Sequence, residues 1–408
     1  MTDPKRLRLC FVVESGTDIR LVNELAERFD LTIIARGIPR GLPISQTPEC
    51  SFTLELGPTS RGRFGTLVFL RLSRKRRFDV VLVQGYALAA LGANLASRIG
   101  GAPSYMLICS PTERYYSCRP RGSADGMPFR SWEYLGLRTL ARINGLLANH
   151  YVVISRHLEE VVRSHGTSAP VDVVPVYGVD SETFKPTSEP RNRIRERLGL
   201  PVNGSLMFFS SRIAPEKDSA ALLRAFRMLL EEGREVWLLH RSGGFQRFLQ
   251  DAEKAGVTER VIATDARHPL KGLALDYQAS DLCVQASKEE GLGFSALEAL
   301  ACGTPVVAAS VGGLRETVLD GQTGWTYPVG DAAALARCIS AVLDNPHEAH
   351  RRAIAGRDLV LKQFEQATVF KRLELLFNES ASNARSRFNR RAKRSGPVTS
   401  SQEWRSQG

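Results

Sequence analysis

Short apolar, β-branched runs alternate with longer stretches of helical period along most of the chain. In the first half the apolar runs fall at residues 7–13, 31–35, 51–56, 79–83, 104–109, 151–154 and 171–174. Between the first two, Ile19, Val22, Leu25, Ala26 and Phe29 recur on one helical face of residues 18–29, and residues 132–147 carry the same period. Parallel strands buried on both faces read as continuous apolar runs, and their connections need crossover helices. The alternation therefore predicts a doubly wound α/β domain over residues 1–177.

The pattern breaks over residues 178–201, which hold Pro186, Pro190 and several charges, with a short helix expected at 193–198. This reads as a linker. The alternation resumes with apolar runs at 205–211, 235–240, 260–264, 282–285 and 305–309, and helical stretches at 219–232, 245–255, 270–279 and 294–302. A second doubly wound domain is expected over 202–345, C-terminal helices over 346–379, and a basic disordered tail over 380–408. The predicted fold class is α/β, with two Rossmann-like domains facing across a cleft. Such sheets bind ligands beyond the carboxyl ends of their strands.

Composition narrows the class. The chain has 408 residues, 43% hydrophobic and 24% charged, which is a globular profile. No window approaches 18 consecutive apolar residues, so no transmembrane helix is expected. The first apolar run ends at Glu14, too short for a signal peptide, and a cytoplasmic location is the expectation. Seven scattered cysteines without CxxC spacing point to reduced core residues, not to disulfides or zinc. The net charge of +12 is uneven: +7 over residues 1–180, −1 over 181–384 and +6 over 385–408. That distribution suits an anionic surface or substrate near the first half, or an ordinary solvated surface with a basic end.

The densest chemical signal is Ser287-Lys-Glu-Glu-Gly-Leu-Gly-Phe-Ser-Ala-Leu-Glu298. A strand ends near Gln285, and a loop with Gly291 and Gly293 opens a helix. Free N–H groups at a helix start favour an anion, and glycine lets a phosphate approach the backbone. Gly291, Leu292, Gly293 and Phe294 are thus candidate phosphate-binding positions. Glu298, inside the helix, could accept hydrogen bonds from a vicinal diol such as a ribose, and Glu290 could hold sugar hydroxyls. Gly303 is placed to terminate the helix before Pro305 opens the next strand.

Glu290 and Glu298 are spaced as in the Glu-x7-Glu motif, and the surrounding residues resemble the family 4 glycosyltransferases. The likeness includes Leu297-Glu-Ala-Leu-Ala-Cys-Gly-Thr-Pro305, Gly312-Gly-Leu-Arg-Glu-Thr-Val318 and Asp320-Gly-Gln-Thr-Gly324. Val176-Tyr-Gly-Val-Asp180 resembles the family's interdomain segment, and Arg212 with Lys217 resembles its Arg-x4-Lys diphosphate clamp. Arg212 follows a strand and faces the cleft, and Lys217 is expected to start a helix; two such cations suit a diphosphate whose charge grows as the glycosidic bond breaks. The resemblance implies the GT-B fold and retaining transfer from a nucleotide-diphosphate sugar, with no metal, to a glycan or lipid-linked acceptor. It places Arg212, Lys217 and Glu290 at the chemistry, and surface polysaccharide assembly as the setting. No nucleic acid partner is expected.

The first half departs from the family pattern. The loop after the first strand, Glu14-Ser-Gly-Thr-Asp18, offers Gly16 as its one phosphate-facing glycine, with Asp18 as a helix cap. Gln84 or Tyr86 stands where family members often carry a His. Residues 109–130 form a long arginine-bearing loop, read either as an acceptor-binding segment or as a surface excursion. His150 and His157 flank an apolar run, and a lone His is more often structural than catalytic. The cluster Arg71, Arg74, Lys75, Arg76 and Arg77 suits peripheral contact with an anionic membrane or a solvated helix face. Two rival functions stand beside transfer: a non-catalytic sugar-nucleotide-binding protein, and an epimerase or phosphorylase on the same scaffold.

Overall fold

A computed structural model describes residues 6–38, 52–74, 77–120, 128–265 and 270–394. The first half contains β1 (Arg8–Val13), α1 (Ile19–Arg28), β2 (Asp30–Arg36), β3 (Thr53–Gly57), α2 (Arg61–Ser73), β4 (Val80–Gln84), α3 (Leu88–Arg98), β5 (Ser104–Ile108), α4 (Thr112–Ser117), α5 (Ser131–Leu147), β6 (His150–Val153), α6 (Arg156–Ser164) and β7 (Val171–Val173). Its seven strands lie in the order β3-β2-β1-β4-β5-β6-β7. All neighbours are parallel; Leu9 to Val12 of β1 face Val80 to Val83 of β4. These central strands are buried on both faces, which is why their sequences carry no polar alternation.

The second half contains α7 (Arg191–Leu198), β8 (Ser205–Phe209), α8 (Ser219–Glu231), β9 (Val236–Arg241), α9 (Phe245–Lys254), β10 (Val261–Thr264), α10 (Leu270–Ala279), β11 (Leu282–Gln285), α11 (Phe294–Ala301), β12 (Val306–Ala309), α12 (Leu314–Thr317), β13 (Trp325–Tyr327), α13 (Ala332–Asp344), α14 (Pro346–Gln363) and α15 (Gln366–Arg394). The six strands lie in the order β10-β9-β8-β11-β12-β13. Strand order reverses between β1 and β4 in one sheet and between β8 and β11 in the other. Ligands of open α/β sheets bind at such switch points.

Local chemistry sets the element ends. Asp18 caps α1 by accepting from the Arg20 amide, Ser155 caps α6 from Leu158, and Asp331 caps α13 from Ala334. Gly199 ends α7 in the left-handed conformation, φ 65°. Gly303 does the same after α11, φ 74°, with Thr304 N–H donating to the Ala299 carbonyl.

The C-terminal part differs from the sequence expectation. Residues 346–377 form two helices that go to different places. α14 packs on α11 and α13, while α15 crosses back to the first sheet, where Phe377 lies 5.0 Å from Tyr105 and 5.7 Å from Phe29 between ring centroids. The crossing begins where the Val179 amide donates to the Phe364 carbonyl and the Gln366 amide donates to the Val179 carbonyl; a Cβ on Gly178 would lie 2.5 Å from the Gln366 Cα, so only glycine fits there. α15 also continues to Arg394, so residues 380–394 are helical and not the disordered tail read from their composition. Ala381 is buried in that extension. Apolar residues at 369, 370, 373 and 377 start the helix, and it propagates through a polar sequence. Residues 395–408 of the expected tail lie outside the described residues. β13 is a further element that the apolar pattern does not announce, because its three residues, Trp-Thr-Tyr, sit between Gly324 and Pro328 with no apolar run around them.

The six described cysteines, Cys10, Cys109, Cys118, Cys283, Cys302 and Cys338, are free thiols. Among the described residues no helix is long and apolar enough to cross a membrane.

Candidate active site

Loops at the carboxyl ends of β8 and β11 bring the Glu290 and Lys217 side chains together. Lys217 Nζ donates to Glu290 Oε2, and Ser287 Oγ donates to the same oxygen at 3.2 Å. Both charged groups are largely buried. Lys217 does not start a helix: it ends a 3-10 turn, Pro215–Lys217, and Asp218 follows in the left-handed conformation, φ 35°, before α8. Arg212 does not join Lys217. Its side chain is 69% exposed and pairs with Glu216 at 3.0 Å, so each cation of the expected clamp is met by its own carboxylate. Glu216 is buried. It lies between Arg212 and Lys217 in the sequence, but its charge-balancing position depends on the turn.

Glu298 lies on the buried face of α11. Its Oε2 accepts from the Tyr277 hydroxyl at 3.0 Å and its Oε1 from Arg20 Nη1 at 3.0 Å. Burial pushes the carboxyl above the ordinary glutamate value, and Arg20 and the Tyr277 hydroxyl oppose that shift. Arg20 comes from α1 of the other sheet, so this contact spans the cleft.

The glycines between the two acids are explained by close packing. A Cβ on Gly291 would lie 2.8 Å from the Cys109 carbonyl oxygen, and one on Gly293, φ 93°, would lie 2.4 Å from Leu314. Gly312 and Gly313 press on the same loop: Cβ atoms there would meet the Glu290 and Gly291 carbonyl oxygens at 2.1 and 2.2 Å. Leu292 is buried beneath, and the Phe294 ring stands edge-on to Tyr177 at 5.1 Å. No side chain caps α11, and a helix start of this kind favours an anion. Gly16 lies in the connection between β1 and α1, beside the switch point of the first sheet.

Several residues of the first half reach this loop, among them Tyr115 of the 109–130 stretch and His157. Ser155 Oγ donates to the Gly291 carbonyl at 2.6 Å, and Tyr115 Oη accepts from the Gly291 amide at 3.2 Å. Tyr115 Oη also lies 3.5 Å from Glu290 Oε1. The Glu316 carboxylate accepts from the Arg156 and His157 amides at the start of α6, at 2.9 and 2.8 Å. His157 Nε2 lies 2.6 Å from Glu289 Oε1. His150 is structural, stacked on Tyr105 at 4.8 Å.

The stretch 109–130 is therefore not a plain loop. It contains α4, anchored by the buried Glu113, whose Oε1 meets His165 Nε2 at 2.9 Å; residues 121–127 lie outside the described residues. Gln84 ends β4, and the Tyr86 ring stands edge-on to His165 at 5.2 Å. Gln84 Oε1 and Tyr86 Oη are buried without a hydrogen-bond partner among the described residues, and burial raises the Tyr86 phenol well above its ordinary value. The Arg71 cluster also breaks up: α2 ends at Ser73, Arg77 pairs with Glu55 at 2.5 Å, and Lys75 and Arg76 lie outside the described residues. Among the described residues, no cluster of three or more His, Cys, Asp or Glu is placed to hold a metal ion.

Two parallel α/β sheets, with the Lys217–Glu290 pair at the carboxyl ends of the second sheet's switch-point strands, have the architecture of the GT-B glycosyltransferases. The sequence signature described as "Glycosyl transferases group 1" matches residues 190–359. The GDP-mannose-dependent alpha-(1-6)-phosphatidylinositol monomannoside mannosyltransferase of Mycolicibacterium smegmatis is 33% identical over 288 residues, 68% of this chain and 75% of that protein. The D-inositol 3-phosphate glycosyltransferase of Xylanimonas cellulosilytica is 38% identical over 210 residues, but the match spans only 49% of each chain. The structure of Anabaena HepE in complex with UDP and glucose superposes with TM-score 0.74 at 18% identity, covering 91% of this chain and 99% of that one. The chain belongs to the group 1 glycosyltransferases.

Proposed function

We propose that the protein moves a sugar, with retention of configuration, from a nucleotide-diphosphate donor to a glycan or lipid-linked acceptor in surface polysaccharide or glycolipid synthesis. The observation that carries this reading is the Lys217–Glu290 pair at the ends of β8 and β11. Residues 202–345 hold the donor and residues 1–177 the acceptor side. Glu298 takes the ribose diol. The amides of Gly291 to Phe294 and the Gly16 turn take the phosphates and sugar, and Glu290 orients a sugar hydroxyl. As the glycosidic bond breaks, negative charge grows on the leaving diphosphate. Arg212 and Lys217 turn from their carboxylate partners toward it, stabilising the transition state more than the bound donor. Neither Gln84 nor Tyr86 is suited to take a proton at neutral pH, so the acceptor proton goes to the departing phosphate oxygen. The mycolicibacterial relative is a GDP-mannose-dependent mannosyltransferase, and the structurally similar HepE is seen in complex with UDP and glucose; these support a nucleotide-sugar donor without choosing its base.

The test is a thermal-shift series with UDP, GDP and ADP, followed by turnover of the matching labelled sugar donors. A ligand that binds only the folded state raises the Tm by mass action. No shift with any nucleotide would overturn the reading. Binding without transfer to acceptor or water would favour the non-catalytic alternative.

Peripheral membrane contact belongs to the same proposal. Residues 58–74 contain four arginines and no acidic residue. Pro58, Arg63, Leu67, Leu70 and Arg71 line a groove of about 690 Å³ on the α2 face. Each cation near an anionic surface contributes about 1 kcal/mol, screened by salt. Co-sedimentation with phosphatidylglycerol vesicles at low salt checks it; no binding there removes this part.

A further inference from the structure

The β1–α1 connection of the first sheet and the ribose-facing carboxylate of the second are joined by one side chain. Asp18 holds one edge of the Arg20 guanidinium: its Oδ1 and Oδ2 accept from Arg20 Nε, both at 3.1 Å, and Oδ2 accepts from Nη2 at 2.7 Å. The remaining nitrogen, Nη1, donates to Glu298 Oε1 at 3.0 Å on α11. Tyr277 takes the other carboxylate oxygen, Oε2, at 3.0 Å. Asp18, Arg20, Glu298 and Tyr277 thus form a hydrogen-bonded chain from one domain to the other.

We propose that Arg20 is a positioning residue for donor recognition: from the opposite domain it keeps the Glu298 carboxylate ionised and aimed for the ribose diol. This rests on the reading that Glu298 binds the ribose.

The chemistry supports a specific division of labour. An ionised carboxylate only accepts, and its two oxygens offer about four lone-pair sites. Arg20 and Tyr277 use one on each oxygen, which leaves one on each for two vicinal hydroxyls. A protonated Glu298 would offer a donor where the diol also brings donors. Burial favours that protonated form, and Arg20 is the cation that meets the carboxylate. Asp18 balances the arginine and fixes its rotamer, so the fork is preorganised. Since Arg20 and Glu298 sit on different domains, the carboxylate is fully compensated only when the domains meet. Ribose recognition and cleft closure are then one event. A lysine at position 20 has a single ammonium head and cannot reproduce the planar fork that grips Asp18 while reaching Glu298.

Calorimetry tests this with the tightest-binding of UDP, GDP and ADP and with its 2′-deoxy counterpart. The readout is the ratio of the two affinities, which a general loss of stability would not move selectively. In the wild type the ribose form binds more tightly, by about tenfold or more, as expected for a hydrogen bond to a charged group. Glu298→Gln brings the ratio near one. Arg20→Gln is expected to do the same, with no further change in the Arg20→Gln/Glu298→Gln pair, because both variants remove one function. Arg20→Lys retains an intermediate ratio and supplies the measurement if Arg20→Gln does not fold. A wild-type ratio in a folded Arg20→Gln or Arg20→Lys variant, with the ratio lost in Glu298→Gln, overturns the proposal alone. A wild-type ratio in Glu298→Gln, or no discrimination by the wild type, overturns the ribose reading beneath it.

Discussion

Tyr115 Oη accepts the Gly291 amide at 3.2 Å, a hydrogen bond that runs from α4 of the first domain to the loop between the two acids of the second. The same oxygen lies 3.5 Å from Glu290 Oε1. A phenol thus meets an amide donor and a carboxylate acceptor, the pair that a sugar hydroxyl would meet in the proposed site. A donor sugar must displace it. Tyr115→Phe keeps the ring and removes this competition. Affinity for a nucleotide sugar should rise about two- to tenfold, the scale of one neutral hydrogen bond, while nucleoside-diphosphate affinity stays unchanged. Parallel titrations of both ligands check this; an equal change in the two would show that Tyr115 acts only on domain closure.

Lys217 should matter to rate more than to folding. Loss of one preorganised donor at a site of developing charge costs on the order of 10²–10³ in rate. Lys217→Ala is expected to lower kcat by about that factor with circular dichroism unchanged. Arg212→Lys should recover part of the activity of Arg212→Ala, since one ammonium lacks the second arm of the fork. Near-normal turnover in folded Lys217→Ala would place the leaving-group contact elsewhere.

His240 predicts an acid limb in stability. It is fully buried at the β9 position facing Phe209, with Nδ1 3.0 Å from the Phe209 carbonyl oxygen and the Phe248 ring at 4.6 Å. Burial lowers its pKa below the ordinary 6.5. The folded state then holds the imidazole neutral where the unfolded chain binds a proton. This contribution is complete above pH 6.5 and is lost as the pH falls from there through the lowered folded value. Thermal melts across that range should show Tm falling with acidification, and His240→Gln should have a shallower fall. An equal slope in both would assign the acid limb to other groups.

Phe377 ties α15 to the first sheet. It is fully buried against Tyr105 and Phe29. Phe377→Ala should destabilise by about 3–5 kcal/mol through lost burial and the cavity left behind. A loss below about 1 kcal/mol for Phe377→Ala would mean that the cavity collapses or that α15 detaches at little cost.

Periodicity and short motifs determined much of this protein by themselves. The apolar runs at 7–13, 79–83 and 282–285 became central parallel strands, because a strand buried on both faces has no polar position to disguise it. Glu290, Glu298 and the glycines around them could be singled out because a tight loop, a helix start and two spaced acids are local features. Only the tertiary structure decided what each charge meets. Arg212 pairs with Glu216, Lys217 with Glu290, and Arg20 reaches Glu298 across 278 positions of sequence. Tyr115, Ser155 and Tyr277 carry no local signal, since a lone hydroxyl looks the same in a core, on a surface or at a cleft. The helix through residues 380–394 was likewise hidden: its residues are polar, and it is a continuation of a helix whose earlier turns pack on a distant sheet. Hydrophobic period is written locally and survives in the sequence; ion pairing and domain contact depend on distances that exist only once the chain has closed on itself.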